Sequence, residues 1–260
     1  MNLQDDKKGG SEAAFLLPPT AYCLIPNPSF SFPLLCATIN SMKSIYKNDM
    51  TMDPSGFVLL ADFIPQILQE IRYYSSYNFI GERIDGYEEP CALLSREAAR
   101  ALKAVSNEVF VQGYRLKVFD AYRPACAVRQ FVLWGLEDTD IRMKPYFYPE
   151  LEKQALFVGG YIASQSSHSR GSAIDLTLLD MKTGKEVDMG SPFDLFSPIS
   201  HPDYPGVTPE QFENRMRLQR VMVRHGFLPI DCEWWHFRLA EEPYPDTYFE
   251  FPCSSAYLRR

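Results

Sequence analysis

Two short polar stretches, far apart in the chain, constrain this fold more than any hydrophobic pattern does. The first is Ser166-Ser167-His168-Ser169-Arg170-Gly171-Ser172-Ala173-Ile174-Asp175, and the second, Glu233-Trp234-Trp235-His236, opens 58 residues after Asp175 (233 minus 175). Together they hold two of the chain's four histidines and two carboxylates. Two imidazoles and a carboxylate fill three positions of a tetrahedral zinc shell, the fourth stays open for water, and the second carboxylate takes that water's proton. The expected ligands are therefore His168, Asp175 and His236, with Glu233 as general base. A chain that uses them this way must fold so that the two stretches lie side by side.

That pairing carries geometric demands. His168 and Asp175 are seven residues apart with Gly171 between them, so they converge if the chain turns at the glycine and enters a strand. Glu233 and His236 are three apart, and in a regular strand residues at that spacing point to opposite faces. A bulge or turn between them, or a Glu233 still in the loop before the strand, is required. Helical spacing would align them, but Glu-x-x-His as a di-iron bundle motif needs a second copy, which the sequence lacks. The other two histidines are read structurally. His201 lies beside Pro202, and His225 sits where a cation suits the end of a helix.

Composition narrows the setting. A chain of 260 residues can bury one sizeable core. A net charge of -7 offers no basic footprint for nucleic acid, so a small molecule is the expected partner; the sequence leaves oligomeric state open. Six scattered cysteines, with no Cys-x-x-Cys pair, read as reduced thiols. Apolar patches at 13–17 and 30–38 are broken by prolines, and no run approaches the ~20 apolar residues of a membrane span. The expected location is the cytoplasm, with a periplasmic or lipid-anchored form, from Leu34-Leu35-Cys36, as the second reading.

Along the chain, Pro65 argues against one unbroken helix over 56–74, and Gly81 and Asp85-Gly86 mark turns. Ser95 caps a predicted helix to Val109, with Ala98, Leu102 and Val105 at helical spacing. Residues 114–120 read as a strand, 125–136 as a helix, and 138–160 as an irregular aromatic insertion over the site mouth. Asp175 falls on a strand over 173–179. Thr208-Pro209-Glu210-Gln211 is a capping-box start for a helix running to His225, where Gly226 ends it. Residues 232–239 read as a last core strand and 241–260 as a trailing surface segment. The expected fold is α+β: one domain with a mainly antiparallel central sheet flanked by helices, the zinc site in a cleft on the sheet. Residues 1–54 form an N-terminal extension and 55–260 the catalytic unit.

The two stretches, in the form Ser166-x-His168-x-x-Gly171-x-Ala173-x-Asp175 followed by Glu233-Trp234-Trp235-His236, resemble the zinc D-alanyl-D-alanine dipeptidases, the vancomycin-resistance type and its chromosomal relatives. The resemblance extends through Asn78-Phe79-x-Gly81 with Asp85-Gly86-Tyr87, through Asp120-Ala121-Tyr122-Arg123-Pro124, and through Asp188-Met189-Gly190-x-Pro192-Phe193-Asp194, all in the family's order over roughly residues 55–245. It implies one zinc ion per subunit on His168, Asp175 and His236, and Glu233 as base. It also implies that Arg123 stabilises the tetrahedral intermediate, that Asp194 meets the substrate ammonium, and that Ser166 and Tyr87 contact the substrate. From the residues alone, a structural ion pair, with Asp120 as the candidate partner, is the first reading of Arg123. The activity implied is cleavage of D-Ala-D-Ala into two D-alanines, in peptidoglycan precursor depletion or D-alanine salvage. The alternatives are a zinc D,D-carboxypeptidase acting on longer wall peptides and a zinc-binding domain without turnover.

Overall fold

The computed structural model describes residues 50–258; both N-terminal apolar patches, Cys23, Cys36 and nearly all of the 1–54 extension lie outside them. The described chain runs β1 (Met50–Thr51), β2 (Phe57–Leu59), α1 (Leu60–Phe63), β3 (Leu68–Gln69), β4 (Leu93–Ser95), α2 (Arg96–Val111), β5 (Tyr114–Asp120), α3 (Ala125–Leu136), α4 (Lys144–Phe147) and α5 (Lys153–Val158). It continues through β6 (Ala173–Asp180), α6 (Pro209–Arg224), β7 (Phe227–Ile230), β8 (Glu233–Leu239), β9 (Tyr248–Phe249) and α7 (Ser255–Leu258). Short 3-10 turns occupy Arg72–Tyr74, Ser167–Arg170 and Pro198–Ser200.

Five strands form the central sheet in the order β3-β5-β6-β8-β7, antiparallel except where β3 runs parallel to β5. This is the expected α+β domain with a mainly antiparallel sheet. Helix α2 forms where the apolar spacing placed it, with the Ser95 hydroxyl accepting from the Ala98 N–H. Its Leu102, Val105 and Val109 are fully buried, each contributing roughly 1.5–3 kcal/mol by leaving water. Helix α6 carries the complete capping box: Thr208 Oγ1 accepts from the Gln211 N–H, and the Gln211 side chain accepts from the Thr208 N–H. It ends at His225, and Gly226 takes the left-handed conformation at φ +87° that lets the chain reverse into β7.

The sheet register positions the chemistry. Asp120 on β5 pairs with Asp175 on β6, and Asp175 pairs with His236 on β8, so three site side chains share one row across three strands. The β5–β6 register shifts between Val118 and Asp120. Between β7 and β8, Ile230 pairs with Glu233 while its neighbour Pro229 pairs with Phe237. Residues 234–236 thus have no partners on β7, although His236 stays paired with Asp175 on β6. This irregularity turns Glu233 and His236, three apart, toward the same side, as the sequence demanded.

Two segments depart from the sequence reading. Residues 138–160 are not irregular throughout: they contain α4 and α5, and Phe147 and Leu156 are buried. Within the described residues, the segment 241–258 is not a surface trailer. Phe249, Phe251 and Cys253 are 4%, 0% and 1% exposed, and β9 runs parallel to β1. Phe251 stacks on Tyr122 at 4.4 Å and meets Phe57 edge-on at 4.9 Å, while Tyr122 Oη donates to the Phe251 carbonyl at 2.7 Å. The prolines do mark turns, but Phe249, Phe251 and Cys253 alternate with period two and turn one face inward. Among the described residues, no helix is long and apolar enough to cross a membrane.

Candidate metal centre and pocket

Each member of the expected zinc triad is delivered by a different local device. His168 lies in the Ser167–Arg170 3-10 turn, whose start is capped by the Ser166 hydroxyl accepting from the His168 N–H at 3.2 Å. The turn ends at Gly171, φ +69°, where a Cβ would come within 2.3 Å of the Phe57 ring. Both the dihedral and the packing exclude a side chain there. Asp175 then follows on β6 and His236 on β8, neighbours by register.

The three donor groups converge. His236 Nδ1 is 2.9 Å from Asp175 Oδ1 and 3.1 Å from His168 Nε2, and His168 Nε2 is 3.3 Å from Asp175 Oδ2. All three residues are buried, and their ligand atoms lie within 4.8 Å of one another. His168 Nδ1 donates to the Ala121 carbonyl at 2.6 Å, which puts the proton on Nδ1 and leaves the Nε2 lone pair facing the triad. Such an outer hydrogen bond is what orients a metal-binding imidazole. Burial holds His236 below its ordinary pKa, favouring the neutral ring that binds metal. Burial would also raise Asp175, but the two imidazoles, His168 foremost, hold its carboxyl well below the usual range.

Around this triad four carboxyl groups, Asp120, Asp175, Asp194 and Glu233, gather about the Arg123 guanidinium. Four carboxyls against one guanidinium, together with borderline nitrogen and oxygen donors, fit a divalent cation such as zinc. Glu233 Oε2 lies 4.0 Å from His236 Nδ1. Burial, reinforced by Asp175 and Asp194, raises its carboxyl well above the usual range. Burial, then Asp175, pushes Asp194 up to about 8.

Arg123 forms the ion pair read from the sequence and also lines the pocket. Its Nε donates to Asp120 Oδ2 at 2.9 Å, and its Nη2 lies 3.5 Å from Asp175 Oδ2. Its guanidinium stacks 4.9 Å above Tyr73 and 5.1 Å from Phe131, and the residue lines the pocket beside the triad. The ion pair thus aims the guanidinium into the pocket.

That pocket has a volume of about 170 Å³ and is lined by His168, Asp175, His236, Glu233, Arg123, Asp194 and Ser166, among others. Tyr87 is not among its lining residues. Its hydroxyl instead donates to Asp120 at 2.6 Å in the buried layer behind Arg123. The wall does hold Tyr73 and Tyr161, and the sequence reading missed Tyr73, the one beside Arg123 and Asp194. Its hydroxyl donates to Asp194 Oδ2 at 3.0 Å and its ring carries the Arg123 guanidinium. No spacing signal marks it, because it sits in an aromatic run at a 3-10 turn. Asp194 itself is held at φ +62°, a backbone conformation that a non-glycine residue adopts at some cost.

The remaining histidines have other partners: His225 meets Glu108 at 2.8 Å and His201 meets Tyr161 at 3.1 Å. Cys91, Cys126 and Cys253 are thiols outside any disulfide.

Comparison with known proteins gives one answer. Residues 53–254 match a family model described as D-Ala-D-Ala dipeptidase. The chain is 40% identical over 200 residues to the D-alanyl-D-alanine dipeptidase of Enterococcus faecalis, an alignment covering 77% of this chain and 99% of that protein. It is 39% identical to the protein of the same name from Enterococcus faecium (76% and 98% covered). It is 38% identical to that of Streptomyces coelicolor (74% and 97% covered).

Proposed function

The chain belongs to the D-Ala-D-Ala dipeptidase family of metallopeptidases, and from that premise we propose that it hydrolyses D-Ala-D-Ala to two D-alanines in a zinc site lying in a cleft on the sheet. The observation that carries this reading is the convergence of His168, Asp175 and His236 beside Glu233 in one small buried pocket. We take 55–260 as the catalytic unit and 1–54 as an extension.

His168 Nε2, Asp175 and His236 Nδ1 would hold zinc. When bound, zinc supplies Lewis acidity for the scissile carbonyl, lowers the pKa of water and offsets the negative charge that raises Glu233. Glu233 takes the proton of the attacking water and passes it to the leaving amine nitrogen, the two-way use of one carboxyl that general acid–base catalysis allows. Arg123, locked by Asp120 and seated on Tyr73, presents its guanidinium to the oxygen that becomes anionic; one such donor is typically worth ~10²–10³ in rate. Asp194, oriented by the Tyr73 hydroxyl, pairs with the dipeptide's ammonium. A cation there lowers the Asp194 carboxyl and releases its proton. The Ser166 hydroxyl, already accepting from the His168 N–H, keeps its own proton to donate to the substrate carboxylate.

A cavity of about 170 Å³ favours a dipeptide over a wall pentapeptide. The test is release of free D-alanine from D-Ala-D-Ala by purified protein, with a chelator and then with added zinc. Turnover lost to the chelator and restored by zinc is expected. Zinc-loaded protein that is inert on the dipeptide but trims a pentapeptide would replace this reading with the carboxypeptidase one.

A further inference from the structure

His201 has no part in the proposed chemistry, yet its carbonyl is held by a buried arginine and its ring meets a pocket residue. The loop from Met189 to His201 carries Asp194 on its inner face. Arg215 on α6, 1% exposed, clamps this loop from behind. Its Nε donates to the Met189 carbonyl at 2.6 Å, Nη1 to the His201 carbonyl at 2.7 Å and Nη2 to the Ile199 carbonyl at 2.8 Å. Three charge-assisted bonds to one buried guanidinium make His201 a fixed post.

On that post hangs Tyr161. Its hydroxyl meets His201 Nε2 at 3.1 Å, and its ring packs at 5.3 Å on Phe196, two residues past Asp194. Tyr161 and Phe196 both line the pocket that holds the triad and Asp194. The strand of chain bearing Tyr161 leaves α5 through Gly159 and Gly160. A Cβ at Gly159 would lie 3.0 Å from the Tyr161 ring, and Gly160 takes φ +78°. The bend brings Tyr161 into the pocket wall beside Phe196, on the loop that also carries Asp194.

We propose that Tyr161, latched to His201, is the residue that sets substrate length, closing the pocket beyond the ammonium position so that a free amino terminus fits and an extended one does not. This rests on the dipeptidase reading above. Tyr161 is thus a specificity-determining residue, and His201 acts through it as a positioning residue.

The test uses the zinc-loaded full chain and compares kcat/KM for D-Ala-D-Ala with that for N-acetyl-D-Ala-D-Ala and D-Ala-D-Ala-D-Ala, alongside zinc content. Removing the ring in Tyr161→Ala is expected to lower the preference for the dipeptide on the order of tenfold or more, by admitting the longer peptides. Tyr161→Phe and His201→Ala, which keep the ring, are expected to lower it less and by the same factor. Their double variant should be no lower than either, since both remove one hydrogen bond. An unchanged preference in Tyr161→Ala overturns the proposal. If that variant does not fold, the ring-preserving pair decides: unchanged or additive effects overturn it. A wild type that cleaves acetylated and free dipeptide equally sinks the length filter while hydrolysis stands. A wild type inert on every peptide removes the underlying reading and the proposal with it.

Discussion

Asp120 is the residue through which the layer behind the pocket acts on the pocket itself. It is fully buried, accepts from Tyr87 Oη at 2.6 Å and Arg123 Nε at 2.9 Å, and faces His168 Nδ1 at 3.5 Å. Asp120→Ala leaves the Arg123 guanidinium without its nearest countercharge. Breaking a buried pair costs roughly 3–5 kcal/mol, and the lower end applies because Asp175 Oδ2 still lies 3.5 Å from Arg123 Nη2. The Tyr87 hydroxyl also loses its acceptor, at about 1–3 kcal/mol. Because the two losses share one carboxylate and are not additive, about 4 kcal/mol is expected in all. In a domain of this size that is on the order of 8–16 °C in Tm. Asp120→Asn keeps an acceptor and most of the fold, but no longer aims Arg123. Its kcat should fall ~10²–10³, and its zinc affinity, through His168, ~10–100-fold. Thermal unfolding, D-alanine release and competition with a chelator measure the three effects. An Asn variant with wild-type kcat would refute the claim that Asp120 aims the guanidinium.

The other predictions concern the C-terminal segment and the buried carboxyl of Asp194. Phe251→Ala removes a fully buried ring from the Tyr122 and Phe57 cluster and should cost about 3–5 kcal/mol; an unchanged denaturant midpoint would contradict the core placement of 241–258. In the zinc-free protein, Asp194 titrates near 8 in the folded state against an ordinary value of 3.8. The folded state therefore binds more protons, and its contribution is fully present below about pH 4 and lost as pH rises through about 8. Tm of the zinc-free protein should fall across that window, with a shallower slope in Asp194→Asn. A parallel slope in the variant would show that Asp194 does not retain its proton.

Much of this site was legible because its spacing has only a few physical solutions. Gly171 between His168 and Asp175 foretold a turn into a strand, and the three-residue spacing of Glu233 and His236 demanded the irregularity found between β7 and β8. Helix α6 could be read from Thr208-Pro209-Glu210-Gln211, since a capping box is a local hydrogen-bond contract that tertiary packing rarely overrides. What stayed hidden depends on contacts between distant segments. Tyr73 and Tyr87 look alike in sequence, and only the packing of the Arg72–Tyr74 turn against β5 puts one in the pocket wall and the other behind it. Phe251 was obscured by neighbouring prolines, and its partner Tyr122 lies 129 residues away. Tyr161 and His201 carry no mark at all until the fold places them 3.1 Å apart.

The central claim is that His168, Asp175 and His236 hold zinc while Glu233 moves the proton. Metal analysis and D-alanine release on Glu233→Gln separate the two roles most directly. The account predicts one zinc ion per chain in the variant, as in the wild type, with turnover of D-Ala-D-Ala reduced ~10²–10⁴-fold. Wild-type turnover in that variant, or a wild-type protein that binds no zinc, would contradict it.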